Sequence, residues 1–64
     1  MKDKLLKDLD TICETVYNEE GTIFNIFDLA YPIKRQIAFC YRIGITRVEV
    51  EKILSKYTNG HTTA

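Results

Sequence analysis

Between Lys4 and Tyr17 the apolar side chains stand at Leu5, Leu6, Leu9, Ile12, Cys13, Val16 and Tyr17, a spacing that draws one stripe along a helix. Asp3, Asp8, Asp10 and Glu14 fall mostly on the opposite side, so the pattern predicts an amphipathic first helix. Gly21, after Asn18-Glu19-Glu20, ends it, because the residue just past a helix often takes a left-handed conformation that glycine adopts without strain. Ile23, Ile26, Phe27 and Ala30 then share one helical face while Phe24 and Tyr31 lie seven apart on a neighbouring one, which predicts a short second helix capped by Thr22 or Asn25. Pro32 has no N–H to donate, so it separates this segment from a third helix that it begins and that runs to about Ile43. Gly44 interrupts the pattern, and Thr46 offers a cap for a fourth helix through about Tyr57, with Val50, Ile53 and Leu54 inward. The expected fold is all-α, a four-helix small domain over residues 1–58 whose last three helices form a trihelical unit, followed by a flexible tail at 59–64.

Composition narrows the class. Sixty-four residues make one small domain, and 45% apolar with 28% charged residues describes a chain that folds without entering a membrane. Its apolar runs fall far short of the roughly 18 to 20 residues that span a bilayer, and Lys2, Asp3 and Lys4 break any signal-peptide core, so a cytoplasmic location is expected. Cys13 and Cys40 stand 27 residues apart with only His61 to join them, so no metal site is expected and both read as buried reduced thiols, with a disulfide as the lesser alternative. With one histidine, no glycine-rich phosphate loop and no nucleophile and base at a suggestive spacing, the chain is expected to be no enzyme and to need no cofactor.

Charge changes the picture more. Net charge is zero, yet residues 1–30 carry three lysines against seven carboxylates, net −4, while residues 31–64 carry six basic residues against two carboxylates, net +4. The basic half is the one suited to a polyanion.

Within that half the residues from Gln36 to Ile53 meet a definite set of demands. Gly44 sits where a tight turn between two crossing helices needs positive φ, Cys40 is small four residues earlier, and Ile43, Ile45, Val50 and Ile53 are apolar around the turn and inside the following helix. The string Gly-Ile-Thr-Arg-x-x-Val-x-x-Ile, with residues 36–55 around it, resembles the helix-turn-helix of phage repressors and sigma factors. The resemblance covers about 20 of the 64 residues, and the same spacings also describe plain helical hairpins. It implies a small DNA-binding transcriptional regulator, of the kind phages and plasmids carry, whose helix from Thr46 enters the major groove of double-stranded DNA. Thr46, Arg47, Val48, Glu51, Lys52 and Ser55 would then face bases, and Lys34, Arg35, Gln36, Arg42 and Lys56 would contact phosphates.

Glu49 and Glu51 are awkward on a helix approaching a polyanion, and a pI near 6.5 is low for a monomer that binds DNA. A homodimer answers both difficulties, and the stripe Leu5, Leu6, Leu9, Ile12, Val16 is a candidate for the dimer contact. The alternative is a protein-binding module or inhibitor that uses the same scaffold, or the acidic first helix, to grip a partner. Convergence of Lys34, Arg35, Arg42, Arg47 and Lys52 on one face would favour DNA, and their pairing with Glu49 and Glu51 would favour protein.

Overall fold

The computed structural model describes the backbone of residues 1–62 and the side chains of residues 1–58. The described chain is mostly helical, in the order α1 (Lys2–Glu20), β1 (Phe24–Asn25), β2 (Asp28–Leu29), α2 (Tyr31–Arg42) and α3 (Arg47–Thr62). The amphipathic stripe forms α1 as expected, and Gly21 closes it at φ 76°, its N–H donating to the Tyr17 carbonyl at 2.7 Å. Pro32 lies in the first turn of α2, where its missing N–H is one the helix would leave unpaired anyway.

The expected short helix at 22–31 is instead a β-hairpin, so three helices and a two-stranded sheet replace the four-helix arrangement among the described residues. Phe24 pairs with Leu29 and Asn25 with Asp28 in antiparallel register, leaving Ile26-Phe27 as a two-residue loop. Local chemistry explains the difference. The ten residues between Gly21 and Pro32 are too few to repay helix nucleation, and their β-branched and aromatic side chains favour strands. The Phe24 N–H donates to Thr22 Oγ1 at 3.2 Å and the Leu29 N–H to Asp28 Oδ1 at 2.9 Å, so polar side chains hold the hairpin rather than cap a helix. The Ala30 N–H closes the base by donating to the Ile23 carbonyl at 3.0 Å.

Ile26 occupies the first loop position at φ 58°. Hairpin loops with positive φ there normally use glycine, and a β-branched residue in that region costs about 1 to 2 kcal/mol. The side chain recovers nothing by burial, since Ile26 is 90% exposed and Phe27 96% exposed.

α1 packs against both other helices. Leu9 and Cys13 from α1, Ile23 and Ala30 flanking the hairpin, Ile33 and Cys40 from α2, Ile45 from the turn and Val50 from α3 make one buried cluster. Leu5, Leu6, Ile12 and Val16 lie half-buried against it, so the α1 stripe covers the protein's own core. α3 follows α1 in the same sense: Lys2 reaches Glu49 at 2.8 Å at one end, and farther along Lys56 meets Asp10 at 2.5 Å. The Tyr57 hydroxyl donates to the Asp10 carboxylate beside it, and the Tyr17 and Tyr57 rings pack at a tilt of 52° with their centres 5.8 Å apart. α3 continues to Thr62, past the end expected at Tyr57, so 59–62 are helical where a tail was expected; residues 63–64 lie outside the described residues.

Both cysteines are free and buried. Burial, with Asp10 adding to it, pushes the Cys13 thiol up to about 11, and burial alone raises Cys40. Thiolate is the reactive form, so neither thiol is expected to react with an aromatic disulfide reagent at pH 8 in the native protein, whereas both should react at once in denaturant. A fast native phase would place a thiol outside the core.

Candidate functional site

Gly44 turns the chain between α2 and α3 at φ 93°. The Gly44 N–H donates to the Tyr41 carbonyl at 3.1 Å and the Ile45 N–H to the Cys40 carbonyl at 3.0 Å, so the last carbonyls of α2 are used within the turn. Ile45 is then buried and Val50 anchors the first turn of α3 in the core. No Cβ would collide at Gly44, so its requirement is the backbone angle rather than space.

Thr46 caps α3 reciprocally. The Glu49 N–H donates to Thr46 Oγ1 at 3.4 Å, while Glu49 Oε2 accepts from the Thr46 N–H at 3.1 Å and from its hydroxyl at 3.2 Å. The other oxygen of Glu49 holds Lys2, and Lys2 first and the Thr46 N–H second keep this carboxylate below its usual range. Glu49 therefore has a structural use, and the objection that it has no base to meet falls away.

Arg47, Val48, Glu51 and Lys52 stand at helical positions i, i+1, i+4 and i+5, on the solvent side of α3. Arg47 Nε donates to Glu51 at 2.6 Å, and both side chains are more than half exposed. An exposed pair at this spacing contributes only about 0.3 to 0.5 kcal/mol, so it orients Arg47 without committing it. Val48 projects into solvent beside it, and Tyr41 at the end of α2 is exposed as well. The Ser55 hydroxyl turns back to donate to the Lys52 carbonyl at 2.9 Å.

The remaining expected contacts divide. Arg35, Arg42 and Lys52 are exposed and make no ion pair among the described residues, with the Arg35 guanidinium lying 5.8 Å from the centre of the Phe39 ring. Lys34 is held by Asp28 at 2.7 Å and Lys56 by Asp10 on α1. Gln36 does not face solvent: at 9% exposure it donates from Nε2 to the Leu5 carbonyl at 3.2 Å and ties α2 to α1. That burial removes Gln36 from the phosphate contacts expected of it. The acidic first helix is likewise partly neutralised, with Asp8 bound to Lys4 at 3.1 Å and Asp10 bound to Lys56 and Tyr57.

One surface was missed by sequence reasoning. Ile26 and Phe27, expected to share one helical face with Ile23 and Ala30, form an exposed apolar tip beside Phe24, and these three with Thr22 and Thr58 line a shallow depression of about 680 Å³. The signal was present in Asn25-Ile26-Phe27-Asp28, where turn-forming residues bracket the two apolar ones. No metal-binding cluster of acidic, cysteine or histidine side chains occurs among the described residues, and no helix there is long and apolar enough to cross a membrane. Comparison with known proteins returned no matching family, no matching curated protein and no matching solved structure.

Proposed function

We propose that this chain is a small DNA-binding transcriptional regulator in which α2, the Gly44 turn and α3 act as a helix-turn-helix, with α3 entering the major groove from its Arg47 end as part of a homodimer. The observation that carries the reading is the outward face of α3: Val50 and Ile45 hold the helix start to the core while Arg47, Val48, Glu51 and Lys52 remain exposed there. The major groove is wide enough to admit such a helix. Arg47 suits a guanine edge, Val48 a thymine methyl and Glu51 a cytosine amino group. The Arg47–Glu51 pair is the kind of pairing that favours a protein partner instead, but it is exposed and weak enough for a base edge to replace it. Arg35, Arg42 and Lys52 can neutralise phosphates without giving up a partner, whereas Lys34 and Lys56 would first have to leave the exposed ion pairs they make with Asp28 and Asp10.

The test is fluorescence anisotropy of the protein on duplexes from its own locus and on scrambled controls across a salt series. Three phosphate-neutralising cations, Arg35, Arg42 and Lys52, give an expected log–log salt slope of about −2.7 per protomer, since each neutralised phosphate contributes about −0.9. Sequence-selective binding with that slope supports the reading. No binding at micromolar protein and low salt sinks it and leaves the scaffold to a protein partner.

A further inference from the structure

Two of the chain's three arginines, Arg35 and Arg42, stand on the outer side of α2, and neither has an ionic partner among the described residues. With Ile33, Gln36 and Cys40 buried on the inner side, the opposite side presents Tyr31, Arg35, Ala38 and Arg42, all exposed, at steps of four, three and four residues. That is the spacing of a helix–helix seam, here about 17 Å long. A small residue sits between its two arginines, which lets a second helix approach closely. Phe39 borders the seam, and the Arg35 guanidinium lies 5.8 Å from the centre of that ring, held along the helix surface before any partner arrives. We propose that this seam docks an acidic amphipathic helix of another protein, which sets carboxylates against Arg35 and Arg42 and an apolar side chain against Ala38.

Charge selects the occupant. A second copy laid on the same seam would bring four arginines together with no carboxylate among them, and like charges so placed oppose association. Asp28, just before α2, is already bound to Lys34 at 2.7 Å and supplies no relief. The α1 helix of a second copy does not serve either, because its apolar stripe is spent on its own core. A foreign helix with carboxylates seven residues apart meets the requirement, since Arg35 and Arg42 are themselves seven residues apart, about 10.5 Å along α2. Residue type points the same way. The seam's cations are arginines although the chain has six lysines to three arginines, and arginine with tyrosine is what protein interfaces favour over lysine.

A single strand of nucleic acid suits the seam less well. Such strands stack successive bases on open rings, and only Tyr31, 69% exposed, offers one, because Phe39 is 38% exposed and has Arg35 over its ring. Arg35 and Arg42 are also phosphate contacts in the DNA reading, so an acidic helix on the seam would compete with duplex DNA. That competition rests on the DNA reading, whereas the docking itself does not.

Docking is tested without DNA by fluorescence anisotropy of a labelled helical peptide of about 21 residues, in which leucine and glutamate each recur every seven residues on an alanine and glutamine background. Its neutral counterpart carries glutamine at every glutamate position. The acidic peptide should bind with a dissociation constant below about 100 µM at about 0.1 M salt, and the neutral one at least tenfold more weakly. Arg35→Gln and Arg42→Gln should each weaken the acidic peptide at least about threefold. Ala38→Gln, which adds bulk without changing charge, should weaken it at least tenfold. Lys7→Gln, an equal loss of charge at an exposed position of α1, should leave it unchanged, and circular dichroism checks the folding of every variant. No binding, equal binding of the two peptides, arginine variants no weaker than Lys7→Gln, or an Ala38→Gln protein that binds as the wild type does would each overturn the proposal. So would tighter binding of a single-stranded oligothymidylate of equal charge, which would give the seam to nucleic acid. Peptide binding in a protein that fails the duplex anisotropy series would reject the DNA reading alone.

Discussion

Leu9→Ala is expected to destabilise the protein by about 3 to 5 kcal/mol, whereas Leu6→Ala, three residues away on the same helix, should cost about 1 kcal/mol. The two leucines are equivalent in the sequence pattern. They differ in the fold, because Leu9 is 0% exposed at the centre of the cluster while Leu6 lies half-buried at its edge. Truncating a buried leucine removes its transfer free energy and leaves a cavity, and the second contribution depends on how far neighbours can close in. Around Leu9 those neighbours are anchored by the Gln36 hydrogen bond to the Leu5 carbonyl on one side and by the Asp10–Tyr57 contact on the other, so little collapse is available. A chain of 64 residues has a total stability of only about 3 to 10 kcal/mol, so the Leu9 variant should lose between about a third and all of it. Urea denaturation followed by circular dichroism decides the matter. Equal midpoints for the two variants would mean that the α1 stripe is buried uniformly, as it would be if a second copy covered its edge.

That comparison also shows what the sequence made legible. Helical periodicity locates α1, α2 and the start of α3 because each presents a sustained apolar stripe, and Gly21, Pro32, Gly44 and Thr46 mark their ends through backbone chemistry that acts locally. The hairpin escaped because each strand is two residues long, too short for a period of two to register, while Ile23, Ile26, Phe27 and Ala30 happen to fall at helical spacing. Of these four, Ile23 and Ala30 are buried and Ile26 and Phe27 are bare, a division that a turn imposes and a helix would not. At the candidate site, the identity of α3's outward residues followed from periodicity, but their partners did not. Nothing in the linear pattern indicates that Glu49 bridges to Lys2, 47 positions earlier, or that Lys56 belongs to Asp10. Those pairings depend on α3 lying along α1 in the same sense, which is a tertiary fact.

The same pairings separate two arginine-or-lysine truncations that composition would treat alike. Arg47→Ala is expected to weaken binding to a cognate duplex about 10- to 100-fold, the range for losing one bidentate base contact, with little change in the urea midpoint because the Arg47–Glu51 pair is exposed. Lys56→Ala should do the reverse, lowering stability by up to about 1 kcal/mol with affinity nearly unchanged, since Lys56 serves Asp10 on the α1 side. Glu51 sharpens the experiment. Once Arg47 is gone, the Glu51 carboxylate enters the groove of a polyanion with no cation beside it, so part of the loss is repulsion rather than a missing contact. The double variant Arg47→Ala/Glu51→Ala should therefore bind non-specific duplex better than Arg47→Ala does, while remaining unable to distinguish the cognate site. Anisotropy titrations of all three variants on cognate and scrambled duplexes, at fixed salt, give the result directly. Equal losses on both duplexes from Arg47→Ala would remove Arg47 from base reading, and a loss of affinity from Lys56→Ala as large as that from Arg47→Ala would move the DNA-facing surface off the outward side of α3.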